Sequence, residues 1–408
     1  MRPHDATPAW DREVAVPFRH RVWFTDGALD PANPALAHAL RCACPGRESP
    51  IRMAAFVDSG VAAAWPQVTD HLARYLQAHA GLPELVWVES MPGGEACKND
   101  PACVETVLDA VDHLRIDRHS MVLAIGGGAV LDVVGFGAAI AHRGVRHVRM
   151  PTTVLAQDDS AMGVKNGVNR KGKKNFTGSF APPDAVVCDR AFLRTLPDAA
   201  WCDGFSEAVK IALLKDAALF ATLERDGASI RARSMEAAWP VIMRSAELHA
   251  RHILEGGDPF ETREARPLDH GHWAAHRLES MTAFELSHGA AVGIGLALDT
   301  VYARRVGLLG DEPAARILRV LSNLGLACSH PMLDSVDELL RGLEEFREHL
   351  GGALSITLMR DIGHPVEVHE IDRVAITLMR DIGHPVEVHE IDRVALREAA
   401  AELLDARA

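Results

Sequence analysis

Apolar and polar positions alternate with two different periods along the chain. In the first half, apolar runs of strand length are separated by helical patterns. Residues 52–57 read as the first strand, 86–88 as the second candidate, 121–125 as a buried strand and 145–150 as the next. From about residue 203 to about 350 the period is helical and no convincing strand appears. The helices expected there cover 208–223, 237–254, 271–281, 289–306 and 312–324. Residues 1–18 read as a frayed lead-in. Near the end, ITLMRDIGHPVEVHEIDRVA occurs twice without change, at 356–375 and 376–395. Each copy carries a strand-like ITLM, a turn at Gly-His-Pro and an alternating VEVHEI. Two copies are too few for a solenoid, so a recent tandem duplication or an assembly error is expected rather than a function. Asp392 is placed to cap a last helix running through Leu404.

The stretch 121–175 organises the chemistry. Gly126, Gly127 and Gly128 follow the buried run at once, and the helical pattern after them is read as carrying Asp132 in its first turn. Glycines between a strand and a helix let backbone N–H groups approach a ligand, and the helix N-terminus suits a pyrophosphate. The same triplet also fits a plain tight turn. Residues 121–141 are nearly long enough to span a membrane, but Asp132 at their middle, the interior glycines and the strand-like start argue against it. Lys165, Lys171, Lys173 and Lys174 then crowd what reads as a glycine-rich loop. Asp58, at the carboxyl end of the first strand, could hold a ribose hydroxyl or cap the next helix. Gly94-Glu95-Ala96-Cys97-Lys98 taken alone is a solvated helix start.

At 408 residues the chain can build two domains and a large core. A net charge of −13 disfavours a general nucleic-acid binder while leaving room for a local basic pocket. The seven cysteines are scattered and odd in number. They form neither a zinc knuckle nor a disulfide framework. Reduced thiols and an N-terminus without an apolar signal core lead to the expectation of a cytoplasmic protein.

Glu207, His272 and His288 offer the donor types of a catalytic zinc site, in which three protein ligands leave one position open. His272 and His288 are 16 residues apart, so a helix and a turn could fold them together. Spacing alone does not bring Glu207 to them. With 21 histidines in the chain, an incidental core or surface role is the stronger reading of the residues alone.

Taken together, GGGAVLDVVGF, PTTVLAQDDS, GVKNGVN, GKKNFTGSF, LRTLP, FSEAVK, GHWAAH and HGAAVGIG resemble, in order, the 3-dehydroquinate synthase family of sugar phosphate cyclases, over roughly residues 50–360. The resemblance implies an α/β plus all-α fold: a Rossmann-like NAD-binding domain over 1–198 and a helical metal- and substrate-binding domain over 199–408. It implies NAD contacts at Asp58, Glu95, Lys98, Gly127, Gly128, Asp132, Thr152, Thr153, Lys174 and Thr195. Glu207, His272 and His288 would bind one divalent metal, zinc or cobalt. Asp159, Lys165, Asn175, Lys210 and His276 would face a small phosphorylated sugar, with Lys165, Asn175 and His276 on its phosphate. A homodimer is expected, with neither a nucleic-acid nor a membrane partner.

The departures matter equally. Where the family's synthase has a lysine, this chain has His249. Where the synthase has an arginine and an asparagine, it has Ala265 and Asp269. A late lysine-rich segment is replaced by Phe346-Arg347-Glu348-His349. The details RPLDHGHWAAHRLE, GGDPFE and EFREHLGG resemble a side branch, the cyclase-like proteins of the bacterial Ebo gene cluster, with the valiolone-forming cyclases one step further off. The expected activity is phosphate elimination and carbocycle closure on a carboxylate-free substrate such as sedoheptulose 7-phosphate. The alternatives are 3-dehydroquinate synthase itself, a metal-dependent alcohol or glycerol dehydrogenase, and a non-catalytic NAD-binding partner.

Overall fold

The computed structural model describes residues 10–44, 51–256, 259–260, 267–307, 309–349, 358–361, 364–366, 376–381, 384–388 and 392–406. Eight strands come first: β1 (Val22–Thr25), β2 (Arg52–Asp58), β3 (Glu84–Met91), β4 (Met121–Gly126), β5 (Arg146–Pro151), β6 (Lys165–Arg170), β7 (Lys173–Phe180) and β8 (Ala185–Asp189). Six of them pair in parallel in the order β1-β8-β5-β4-β2-β3. Every residue of β4 is buried, as expected of a central strand with helices on both faces. The chain leaves β4 toward β5 but leaves β2 toward β3. The crevice at the carboxyl ends of β2 and β4 is therefore the sheet's switch point, where doubly wound folds take their ligands. Asp58 and Gly126 end those two strands.

Three sequence expectations need correction here. The sheet does not start at residue 52, because β1 precedes it on the outer edge, where it pairs with β8. Four half-buried residues give no alternation to read. The lysine-rich loop is the antiparallel hairpin β6–β7, turned by Lys171 and Gly172 at φ 53° and 71°. Asp132 is the fifth residue of the Gly128–Ile140 helix and so lies beyond its first turn.

The second half is helical throughout its main body. Helices Asp198–Lys215, His272–Met281, Asp311–Asn323 and Arg393–Asp405 pack on His288–Arg305, which is buried on nearly all sides, and Ala217–Arg231 and Met235–Glu255 pack on Asp198–Lys215. The apolar run 208–223 is two helices and not one. Asp216 interrupts it, its carboxylate accepting from the N–H groups of Ala218 and Leu219 at 3.0 Å, and this cap outcompetes propagation. Gly204 is where the two halves cross closely. A Cβ there would lie 2.3 Å from Val154 Cβ and 2.6 Å from the Leu155 backbone nitrogen. That approach brings Glu207, one turn later, beneath the Val154–Asp158 helix and the Asp159 next to it. No helix among the described residues is long and apolar enough to cross a membrane.

Each duplicated segment forms its own antiparallel hairpin, β9 (Leu358–Asp361) with β10 (His364–Val366), and β11 (Ile376–Asp381) with β12 (His384–Val388). β11 lies against His288–Arg305. Deleting either copy yields the same chain, so one variant, lacking 376–395, tests both. It is expected to express solubly and keep its activity, since one hairpin leads into the last helix. Insoluble expression or a collapsed melting temperature would show that both copies are structural.

Candidate active site

Glu207 lies on Asp198–Lys215 and is fully buried. His272 and His288 are the first residues of their helices. His272 Nε2 is 3.3 Å and His288 Nε2 3.8 Å from Glu207 Oε1. Local packing fixes both histidines. Gly271, at φ 74°, starts the His272 helix and donates its N–H to Asp299, which also accepts from Trp273 Nε1 at 3.0 Å. A Cβ on Gly295 would stand 2.1 Å from the Gly271 carbonyl oxygen, so only glycine lets these helices meet there. Ser287 caps the His288 helix by accepting from the Ala290 N–H, while its hydroxyl donates to Asp203.

Both ring orientations suit a metal. His272 Nδ1 is 3.1 Å from the His270 carbonyl oxygen, and His288 Nδ1 is 3.1 Å from Glu279 Oε2. Each Nδ1–H has an acceptor, leaving each Nε2 lone pair directed at Glu207. Glu207 Oε2 is engaged by the Lys210 ammonium at 2.5 Å, and Oε1 is left facing the two Nε2 atoms. Burial raises the Glu207 carboxyl, but Lys210 and His272 outweigh it and hold it well below the ordinary range. An ionised, buried carboxylate facing two imidazole lone pairs fits a divalent cation. The donor atoms lie within 4.8 Å of one another.

Two further groupings are equally compact, His276/Glu279/His288 and Asp159/Glu207/His249. In the first, the Lys174 ammonium already stands 2.5 Å from Glu279 Oε1 and 3.3 Å from His288 Nδ1. In the second, Lys210 already neutralises Glu207 Oε2. His249 is fully buried, its Nδ1 2.9 Å from the Ser245 carbonyl oxygen and its Nε2 3.4 Å from Asp159 and 3.8 Å from Glu207. His276 stacks on His288 at 5.9 Å, and burial, with Lys174, keeps its imidazole neutral. Asp158 is pushed far above the usual carboxylate range by burial, then by Asp159 and Glu207.

The nucleotide-side residues form a second network. Lys98 Nζ donates to Asp132 at 2.6 Å and to Asn175 Oδ1 at 2.5 Å. Burial opposes its charge, but Asp132 and Glu95 outweigh that and raise its pKa. Glu95 accepts from Asn169 at 2.5 Å, and Asn169 Oδ1 accepts from the Asn175 N–H. Thr152 is buried beside Gly126. The Thr153 hydroxyl caps its own helix at the Ala156 N–H. Asp58 caps at the Gly60 N–H, and Thr195 accepts from Trp65 Nε1 at 2.7 Å. Among the described residues no hydrogen bond or ion pair joins Asp58 or Thr195 to the network. Lys174 contacts the His288 corner and not the Lys98 cluster. Ala265 and Arg266 lie outside the described residues.

Sequence reasoning missed Arg149, Asn169 and Glu279. Arg149 is fully buried, and burial pulls it down to about 10. Its guanidinium donates to the carbonyls of Ser160, Ala161, Gly163 and Lys165, fixing the segment between Asp159 and Lys165. A strand-interior arginine carries no such signal. Glu279 had one, standing seven residues after His272 and three after His276 on one helical face.

The sequence models of two domains, 3-dehydroquinate synthase N-terminal and 3-dehydroquinate synthase C-terminal, match residues 88–203 and 204–345. A 2-epi-5-epi-valiolone synthase of Streptomyces hygroscopicus subsp. jinggangensis is 34% identical over 374 residues, covering 89% of this chain and 86% of that protein. A 3-dehydroquinate synthase of Azotobacter vinelandii is 34% identical over 302 residues, 74% of this chain and 80% of that protein. The solved structure of the Streptomyces valiolone synthase, with NAD+ and Zn2+ bound, superimposes with a TM-score of 0.81 at 30% identity, covering 97% of this chain and 100% of that one.

Two outcomes are expected. Glu207→Ala, His272→Ala and His288→Ala should each lose bound metal while staying folded, because three protein ligands are the minimum for such a site. Elemental analysis beside circular dichroism checks this, and stoichiometric metal in His288→Ala would sink the assignment. Gly127 is the one glycine of the triplet whose Cβ would meet only ordinary contact, Thr153 Cγ2 at 3.4 Å. Gly127→Ala should therefore weaken NAD binding at least several-fold with an unchanged melting temperature. Unaltered affinity by calorimetry would reduce the triplet to a turn.

Proposed function

Since the chain belongs to the 3-dehydroquinate synthase family, we propose that it is an NAD- and divalent-metal-dependent sugar phosphate cyclase, acting on a carboxylate-free substrate such as sedoheptulose 7-phosphate and yielding a valiolone-type cyclitol. The observation that carries this reading is Glu207, a buried, ionised carboxylate paired with Lys210 at Oε2 and faced at Oε1 by two oriented imidazoles. A binding module has no need of such a corner.

When bound, NAD supplies a hydride acceptor and the metal a Lewis acid at the reacting hydroxyl. The chain's own residues do the rest. Lys98 and Asp132, paired across the nucleotide side, hold the cofactor end of the crevice. Lys165 and His276 grip the phosphate by hydrogen bonds, charge-assisted from the lysine. Asn175, whose side-chain oxygen is taken by Lys98, has its amide N–H groups left to donate to that phosphate. Asp159 takes the place beside the reacting hydroxyl as a proton acceptor. Lys210 balances the negative charge around Glu207 when substrate enters.

The surroundings of His249 support a substrate without a carboxylate. At the position where the family's synthase has a lysine, a carboxylate would meet an imidazole wedged between Asp159 and Glu207. Losing a charge pair of about 3 kcal/mol corresponds to roughly a hundredfold in selectivity. Asp269 would add repulsion if ionised. The similarity to the Azotobacter protein keeps 3-dehydroquinate synthase as the second reading.

Incubation with NAD+, Zn2+ or Co2+ and a panel of sugar phosphates separates the readings. Phosphate release from sedoheptulose 7-phosphate, with a cyclitol by mass spectrometry and no net NADH, is the expected result. Conversion of the seven-carbon acid phosphate to 3-dehydroquinate alone would restore the synthase reading. Steady NADH accumulation would indicate a dehydrogenase.

A further inference from the structure

Glu279 belongs to no metal-ligand set that Lys174 leaves open, yet it is 2% exposed and both of its oxygens are engaged. Oε2 lies 3.1 Å from His288 Nδ1, and Oε1 lies 2.5 Å from Lys174 Nζ. Lys174 Nζ is in turn 3.3 Å from the same His288 Nδ1. The ring nitrogen thus has two polar neighbours, a carboxylate that can only accept and an ammonium that can only donate. They demand opposite tautomers of His288.

We infer that Glu279 is a positioning residue that decides this competition, holding the proton of His288 on Nδ1 so that Nε2 stays free as a metal ligand, against the tautomer Lys174 would impose. The inference rests on the proposed metal site. With the carboxylate present, Nδ1–H donates to Glu279 and Lys174 spends its charge on Oε1. Replace the carboxylate by an amide and the order changes. The Lys174 ammonium claims the amide oxygen, which turns the amide NH2 toward Nδ1. An N–H facing Nδ1 moves the ring proton to Nε2, and a protonated Nε2 cannot ligate a metal. Removing Lys174 as well frees the amide to rotate and present its oxygen to Nδ1 again. The lysine comes from β7 and Glu279 from the His272–Met281 helix, so the competition also joins the hairpin to the metal corner.

The test is a double-mutant cycle on the full chain, with Co2+ affinity read by calorimetry and the cobalt visible spectrum. Glu279→Gln should weaken Co2+ binding by about 10- to 100-fold, the usual effect of losing an orienting partner. Lys174→Met alone should change it by less than about threefold. The double variant should bind at least several-fold more tightly than Glu279→Gln, a rescue that a merely structural carboxylate would not show. A double variant as weak as or weaker than Glu279→Gln would overturn the inference, as would wild-type affinity in Glu279→Gln. Circular dichroism confirms that the isosteric variant folds, and Glu279→Asp, which keeps an acceptor, should retain more affinity than Glu279→Gln. Wild-type protein that binds no Co2+ would overturn the metal site and this inference together, whereas the other failures leave the metal site standing.

Discussion

A carboxylate taken fully out of water, Glu207, is the constraint around which the centre of this protein is arranged. Leaving Glu207 uncompensated would cost several kcal/mol, so the fold gathers positive charge and lone pairs at that point. Lys210 comes from the next turn of the same helix, His272 and His288 from two helix starts, and His249 from a fourth helix. Each partner then needs its own support. Asp299 ties down the His272 helix, Ser287 and Asp203 the His288 helix, and Glu279 the His288 ring. The glycines at 204, 271 and 295 answer the same demand, because helices carrying these groups must approach more closely than a Cβ allows.

The nucleotide side is built on a different principle. The crevice between β2 and β4 arises from strand order alone, and the glycines after β4 keep it open. Lys98 then reaches across from a short helix to Asp132 and Asn175, and Asn169 links that cluster to Glu95. The β6–β7 hairpin belongs to both halves of the site. Asn175 faces the nucleotide cluster, while its neighbour Lys174 faces the metal corner. Asn175 stands at φ 52°, where the register of the hairpin is irregular, and this break in the strand lets two successive residues serve two pockets.

Much of this was legible in the chain. Strands of apolar residues, glycines at a strand end and helical periods after residue 203 are local signals, and local signals survive without a structure. The Glu207, His272 and His288 convergence was not local. Spacing accounted for the two histidines, but only the family resemblance tied Glu207 to them. β1 escaped notice because a four-residue edge strand buries too little to show a pattern. The second helix start at Asp216 was hidden inside an apolar run, where a capping aspartate looks like an ordinary surface charge. Arg149 and Glu279 were missed for a common reason: their partners lie on other elements, at backbone carbonyls or ring nitrogens that sequence does not display.

The duplicated hairpin has a consequence of a different kind. In the second copy Ile376 pairs with Val388, so the two ends of the hairpin lie side by side. A unit whose entrance and exit coincide can be added or removed without displacing the next element of the chain, here the helix Arg393–Asp405. The same geometry makes this junction a natural splice point for a hairpin of matching length, one that keeps the contact β11 makes with His288–Arg305.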